Sequence, residues 1–177
     1  MTNSISSLAK IGKNVKIGDF TVIGDEVEIG DDVVIEAFCV FQGKIKIGRG
    51  TVIKNYVELR DKTVIGENCY IDSRVSSSGN CTMGNNVTLR YDAIIARGCE
   101  IRDNTYVCPR VMTNNLNTDK KQIGGAKIGA NCFIGTNAVL QHGITLGEGV
   151  TIGSMSFVNT DCEDKSKYYG IPAKKRV

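Results

Sequence analysis

The sequence predicts an all-β solenoid, and three observations carry that reading. An apolar residue recurs at every sixth position from Ile5 to Val107, and sixteen of these eighteen residues are aliphatic or Met, the exceptions being Phe41 and Ser77. The rhythm returns, shifted in phase, as Ile128, Ile134, Leu140, Leu146, Ile152 and Val158. A period of six fits neither an amphipathic helix nor one long alternating strand. It fits the short strands of a solenoid, each hexapeptide giving one flat side and a corner. The position two residues before each aliphatic site is uncharged and mostly small or β-branched (Val15, Thr21, Val27, Val33, Cys39), as a narrow strand-lined interior requires. Glycine directly follows many of the aliphatic sites (12, 18, 24, 30, 48, 66, 84, 129, 135, 147 and 153), which suits tight corners and close approach of backbone.

Composition narrows the class. The 177 residues are one domain, 1–177, with no length for a second. The opening MTNSISSLAK has no apolar run, so the expectation is no signal peptide, no membrane span and a cytoplasmic protein. A net charge of +3 with no basic stripe excludes a nucleic-acid partner from the reading. Of the seven cysteines, Cys39, Cys69, Cys81, Cys99 and Cys132 fall on the small inward site, where Cys serves as a compact apolar residue. Reduced core thiols are expected, and no CxxC spacing occurs. Cys108 and Cys162 fall off that site, and Cys108, beside the root of an inserted loop, is where a functional thiol stays open.

The pattern of Ile23-Gly24-Asp25-Glu26-Val27-Glu28, repeated over residues 5–160 and followed by the tail Gly170-Ile171-Pro172-Ala173-Lys174, resembles the hexapeptide-repeat acyltransferase superfamily. The resemblance implies a left-handed parallel β-helix with three sides, usually a trimer. Periodicity gives no hand, and the general preference for right-handed crossovers points the other way.

Three sides of six residues put residues 18 apart one strand spacing from each other, roughly 4.8 Å. Residues 5–107 then make about six coils and 126–160 about two more, about eight in all, with a short C-terminal tail over about 161–177. One corner carries Asn14, Asp32, Gly50, Asn68, Asn86 and Asn104, residue types that tolerate left-handed geometry. Lys13, Asp31, Arg49 and Glu67 alternate in sign beside it, and Glu36, Lys54, Asp72 and Arg90 do so on the next side. Both columns read as solvated ion-pair ladders contributing at most about 1 kcal/mol per pair. A third column stacks Phe20, Phe38 and Tyr56, an exterior packing strip suited to a subunit contact, then continues as Arg74, Asp92 and Arg110, with Tyr91 and Pro109 alongside. Its charged part is either another ladder or a surface touching a polar substrate.

The phase break locates an insertion. The position expected six after Val107 is Thr113, and the Ile-Gly-x-Asn corner returns at Ile128, so nine residues are added in a loop spanning about 112–127. Its Asn, Thr, Asp, Lys, Gln and Gly are those of an exposed loop, and loops on rigid scaffolds commonly carry function. Asn115 lies two past Thr113 and His142 two past Leu140, one coil apart on the same side, with Arg97 at the matching corner a coil earlier. His142, the single histidine, therefore belongs at the loop root, where an unperturbed pKa near 6.5 suits a general base.

Acyl transfer from a thioester needs an unprotonated nucleophile, a donor for the developing oxyanion and an oriented, dry site. Family members acting on sugar hydroxyls carry a catalytic histidine in a segment matching Thr113–Asn117, which here reads Thr-Asn-Asn-Leu-Asn. The stretch Val111-Met112-Thr113-Asn114-Asn115 instead resembles the Phe-Thr-Asn stretch of nucleotide-linked amino-sugar N-acyltransferases. An amine needs less base assistance than a hydroxyl. Register and column position thus put forward His142 and Asn115 as catalytic residues and Arg97, Tyr91, Asp92 and Arg110 as substrate-binding residues, and the resemblance adds Asn114 as catalytic and Thr113 as substrate-binding. It implies acetyl-CoA held by Thr136, Ser154, Met155 and Asn159, with Lys174, Lys175 and Arg176 near its phosphates. Thr160 stands where the family has Lys, and His142 where it commonly has Pro. No metal is expected, because the zinc enzymes on this scaffold need three histidines.

The reading is an acetyl-CoA-dependent N-acetyltransferase acting on a nucleotide-linked amino sugar in surface-glycan biosynthesis, a homotrimer with sites between subunits. A sugar O-acetyltransferase and a non-catalytic β-helix scaffold are the alternatives. The inserted loop and the Gly-x-Pro-Ala-Lys tail argue against the scaffold, which needs neither.

Overall fold

The computed structural model describes residues 2–176. Twenty-five strands of two or three residues wind into a three-sided, left-handed parallel β-helix. The first side runs from Ser4–Ile5 to Phe157–Val158 and holds nine strands. The second runs from Lys10–Ile11 to Thr145–Leu146 and holds eight. The third runs from Lys16–Ile17 to Thr151–Ile152 and is extended by the strands Lys167–Gly170 and Ala173–Arg176. That makes eight complete coils and the start of a ninth. No helix long and apolar enough to cross a membrane occurs among the described residues.

The hexapeptide period is the strand-and-corner repeat. Ile23, Ile35, Ile53, Ile71, Leu89 and Ile134 are among the largest fully buried side chains, and the small inward residues Val27, Val33, Cys39, Val75 and Ala93 are fully buried between them. The two exceptions to the aliphatic series are both 0 % exposed. Phe41 fits as an apolar residue. Ser77 sits 2.8 Å from the Thr63 hydroxyl and accepts the Gly79 N–H at 3.2 Å, so its polar atom is satisfied inside the core. The cysteines use their thiols in the same way: Cys39, Cys69, Cys81 and Cys132 each donate to a carbonyl of the following coil at 3.1 Å, those of Lys54, Gly84, Ala96 and Gly147.

The corners behave as the side-chain pattern requires, with one shift of reason. Asn14, Asp32, Gly50, Asn68, Asn86 and Asn104 all have positive φ, between 54° and 66°. The glycines that follow the aliphatic sites serve a different need. A Cβ on Gly30 would lie 2.7 Å from the Arg49 backbone nitrogen, so these glycines let successive coils touch backbone to backbone. At the third corner Phe20, Phe38, Tyr56, Arg74, Asp92 and Arg110 also adopt φ near +60°. A ladder of backbone bonds holds them there, from Phe38 N–H to Asp19 at 2.9 Å through Arg110 N–H to Tyr91 at 2.9 Å. The aromatic rings stack at 4.9 Å spacing and remain exposed.

Charge alternates by coil. Residues 20–37 carry six acids and no base, and residues 38–55 four bases and no acid. Lys10 and Lys46 flank Glu28 at 3.0 and 3.1 Å, Lys54 pairs with Glu36, Arg49 with Glu67 at 3.1 Å, and Arg90 with Asp72 at 2.9 Å. One expected rung differs: the Asp31 carboxylate accepts the backbone N–H of Lys13 at 2.6 Å, capping the coil below. Asn55, Asn85, Asp103 and Asp164 cap neighbouring coils in the same manner.

Register locates the insertion. Tyr70 pairs with Thr88 and Ile94 with Met112, an offset of 18, whereas Glu100 pairs with Lys127 and Met112 with Val139, an offset of 27. The nine added residues therefore lie between the strands Met112–Thr113 and Lys127–Ile128, at the corner joining the first side to the second. The C-terminal segment departs from the expected tail. Cys162 bridges Leu146 and Lys167 pairs with Thr151, so residues 162–170 continue the winding before Ala173–Arg176 turns back antiparallel and closes the end of the helix. Tyr168, on the first strand of this hairpin, is buried.

Candidate active site

The loop folds on itself. Leu116 and Gln122 form an antiparallel bridge, and the Asn117 side-chain oxygen accepts the N–H groups of Asp119 and Lys121 at 3.1 and 2.9 Å. Its root is pinched where the Asn115 carbonyl accepts Ile123 N–H at 2.9 Å and Gly124 N–H at 3.3 Å. The Gly124 carbonyl then accepts Gly143 N–H at 3.1 Å. Gly143 has φ +68° and a Cβ there would stand 3.0 Å from the Ile123 side chain, so the loop return docks on the corner that carries His142.

His142 is half-buried and stands two residues past Leu140, whose register partner is Thr113, which aligns His142 with Asn115. Its Nε2 lies 3.3 Å from the carboxamide nitrogen of Gln141. Asn114 and Asn115 are half-buried at the same corner, and Arg97 is exposed one coil below. Asn114 donates its backbone N–H to Leu140 at 3.0 Å. Leu116 and Ile123 expose apolar surface on the loop, and Met112 does so beside it.

Thr113 does not face this site. It is 3 % exposed, accepts the Ala96 N–H at 2.7 Å and the Cys99 thiol at 3.2 Å, and donates toward Ile94 at 3.3 Å. It occupies the inward aliphatic position of its hexapeptide, so its hydroxyl is a core hydrogen-bonding group and not a substrate contact.

The other substrate-binding candidates lie at the opposite edge of the first side. Asp92 receives Arg74 through two bonds of 2.7 and 3.2 Å and approaches Arg110 at 3.8 Å, while the Arg74 guanidinium sits 4.1 Å over the Tyr91 ring. Arg74 and Asp92 thus form a rung of an ion-pair ladder, with Arg110 left largely exposed. Thr136, Ser154 and Met155 continue this corner, and Met155 N–H bonds to Thr136 at 2.9 Å. Asn159 and Thr160 are exposed at the loop corner, in the coil after His142. Within one chain the candidate residues thus form two groups, along the two edges of the first side.

Lys174 and Arg176 are exposed on the closing hairpin, but Lys175 is engaged by Glu163 at 2.6 Å, which raises its pKa. Cys108 is buried, and loss of hydration pushes its thiol up despite the Thr136 hydroxyl and the Arg90 charge acting the other way. It lacks the solvent-accessible setting of a reactive thiol. Open depressions on the second side, one among Lys10, Glu28 and Lys46 and another among Glu100, Lys127 and Asp164, contain none of the candidates.

Sequence reasoning missed Gln141, Gly124 and Gly143. Gly143 carried a signal, a glycine immediately after the only histidine, but the loop path that makes it necessary is not encoded in the hexapeptide phase.

The repeats at residues 8–43, 27–61 and 125–160 match the family model described as Bacterial transferase hexapeptide (six repeats). The chain belongs to this hexapeptide-repeat transferase family. No curated protein sequence matches it. Among solved structures, the UDP-N-acetylglucosamine acyltransferase of Bacteroides fragilis is similar at TM-score 0.73 and 23 % identity, over 98 % of this chain and 72 % of that one. The UDP-N-acetylglucosamine acyltransferase of Campylobacter jejuni is similar at TM-score 0.65 and 22 % identity, over 98 % and 74 %. A galactoside acetyltransferase in complex with coenzyme A is similar at TM-score 0.57 and 26 % identity, over 65 % and 64 %. The hexapeptide solenoid is thus the shared element, and the stretch 62–124, outside the family match, holds Ser77 and most of the loop.

Proposed function

We propose that this hexapeptide-repeat protein is an acyltransferase that moves an acetyl group from acetyl-CoA to the amine of a nucleotide-linked amino sugar. The observation that carries the reading is the loop root, where Asn115, Gly124 and Gly143 lock an inserted loop onto the corner bearing the only imidazole in the chain. Family membership and the likeness to a coenzyme A-bound acetyltransferase support a thioester donor. The segment Thr-Asn-Asn-Leu-Asn at 113–117, without a histidine, supports an amine acceptor over a hydroxyl.

The working form is a homotrimer with sites between subunits. The outward face of the first side is nearly uncharged, with Val22, Val40, Ile94, Met112, Val139 and Phe157, and Glu58 its one charge. The second side presents Lys10, Glu28, Lys46, Glu100 and Lys127. Depletion of charge marks the core of a subunit interface. Packing that face against a neighbour brings the Tyr91–Asp92–Arg110 corner of one copy toward the His142 corner of the next, which unites the two groups of candidates. Thr136, Ser154, Met155 and Asn159, with Lys174 and Arg176 for the phosphates, hold acetyl-CoA along the last coils.

In the reaction, the amine attacks the thioester carbonyl, the C–N bond forms, the C–S bond breaks, and the amine proton ends on the departing thiolate. Product chemistry tests the reading. Incubation with acetyl-CoA and acceptors that carry either an amine or a hydroxyl at the same ring position yields an alkali-stable amide on the amine acceptors alone; an alkali-labile ester means sugar O-acetyl transfer, the reading favoured by the likeness to a galactoside acetyltransferase.

A further inference from the structure

We infer that the second side of the β-helix is a self-complementary surface on which a second copy of the chain docks antiparallel, about a two-fold axis passing between Val64 and Thr82. The inference is independent of the activity proposed above and of the contact assigned to the first side.

The register of the eight strands fixes what this side presents. Its outward residues are Lys10, Glu28, Lys46 and Val64 on the first four strands, and Thr82, Glu100, Lys127 and Thr145 on the last four. Rotating a second copy end over end about the midpoint sets Glu28 against the partner's Lys127 and Lys46 against the partner's Glu100. Val64 then meets the partner's Thr82, and Lys10 the partner's Thr145. The dyad repeats every pair, because an isologous contact uses the same patch twice. A slide of one strand in either direction fails. One slide sets Lys10 against the partner's Lys127 and Glu28 against the partner's Glu100, and the other sets Lys46 against the partner's Lys127. Like charges placed face to face are strongly disfavoured. A parallel arrangement fares no better, since it faces each charge with its own copy.

The adjoining corner selects the same register. There Lys13, Asp31, Arg49 and Glu67 follow the first four strands, and Asn85, Asp103, Ala130 and Glu148 the last four. The rotation that suits the side sets Lys13 against the partner's Glu148 and Arg49 against the partner's Asp103. Asp31 then faces the partner's Ala130, and Glu67 the partner's Asn85. The one-strand slides instead set Asp31 against the partner's Asp103 or the partner's Glu148. The other corner agrees as well. The inserted loop leads into the seventh strand with Lys120 and Lys121 exposed, and its counterpart under the rotation, the corner leading into the second strand, holds Asp25 and Glu26 around an open depression.

The charges are available for such a contact. Glu100 and Lys127 stand 3.8 Å apart with side chains 55 and 63 % exposed, and Lys46 is 52 % exposed beside Glu28. The face is about 34 Å long, seven strand spacings, and one hexapeptide wide. That places it at the small end of specific interfaces, and its ionic character makes the pairing reversible and sensitive to salt. On a trimer formed through the first side, the second sides would join one trimer to others.

Sedimentation velocity of the full chain at about 20 mM and about 0.5 M NaCl reads the pairing. Wild type should give a larger species at low salt that dissociates at high salt. Glu28→Lys and Lys127→Glu should each weaken it on the order of 10²-fold, because the dyad counts each reversal twice. The double variant should restore it, because the reversed charges again face opposite signs. Glu28 also binds Lys10 and Lys46 within the chain, so the swap is repeated with Lys13→Glu and Glu148→Lys, both at exposed corner positions. A wild type with no salt-sensitive species, or double variants that associate no better than the single ones in both swaps, overturns the inference. A salt-sensitive species with no salt-resistant assembly beneath it supports this pairing and removes the first-side contact.

Discussion

The carbonyl of Gly124 accepts the N–H of Gly143 at 3.1 Å, so the return of a nine-residue insertion is tied to the corner that presents His142. The same corner admits no Cβ without displacing Ile123, which stands 3.0 Å from where one would be. Gly143→Ala therefore loses on two counts, an unfavourable φ of +68° and a displaced loop. The strain costs about 1–2 kcal/mol. For a chain of this size that lowers Tm by about 2–4 °C per kcal/mol, measured by calorimetry. Turnover should fall by more than the stability loss explains, because the loop shifts relative to the imidazole.

Gly30 has an unremarkable backbone conformation but faces the next coil, with the Arg49 nitrogen 2.7 Å from a would-be Cβ. Backbone cannot move aside as a flexible side chain can. Gly30→Ala is expected to cost about 1–3 kcal/mol, and occasionally more, as overpacking does. Denaturant titration would check it, and a variant as stable as wild type would contradict the backbone-to-backbone account of these glycines.

All seven cysteines are buried and free. Burial pushes Cys39 and Cys99 up to about 11 and Cys162 to about 12, from an ordinary value of 9.0. The folded state thus keeps protons that the unfolded chain gives up first, so the thiols' contribution is complete below pH 9 and declines as pH rises toward 11–12. Native protein should show no fast reaction with a thiol reagent at neutral pH and seven equivalents after unfolding. Rapid labelling of Cys108 would restore the functional thiol that burial argues against.

Phe20, Phe38 and Tyr56 stack at 4.9 Å and stay exposed at a corner bordering the uncharged first side. Phe38→Ser should leave the coil intact while weakening self-association, seen as a shift toward monomer in sedimentation velocity. An unchanged assembly would place the subunit contact elsewhere.

The scaffold was legible because every coil repeats the same physical demand. The aliphatic period, the small inward sites and the left-handed Asn and Gly corners each read one local constraint, and subtracting phases gave the insertion its length of nine residues and its approximate span. Thr113 shows where motif resemblance overrode that logic: its place in the sixfold series marks it as inward, yet the Thr-Asn-Asn motif drew it into the site. Asn115 and His142 were brought together by register alone. Gln141 against His142 was not legible, because it depends on side-chain orientation within one corner, and the Gly124–Gly143 bond depends on the path of a loop that has no period. The division of candidates between two corners follows from their phases.

The most direct test of the account is thiol release from acetyl-CoA with nucleotide-linked amino sugars as acceptors, run on wild type and on His142→Ala. The account predicts turnover by wild type and a loss on the order of 10²-fold in kcat for the variant, with its fold and assembly unchanged. Equal turnover by the two proteins would remove His142 from the reaction, and no thiol release by wild type, with no acetyl-CoA binding by calorimetry, would leave a scaffold with no acyl transfer to explain.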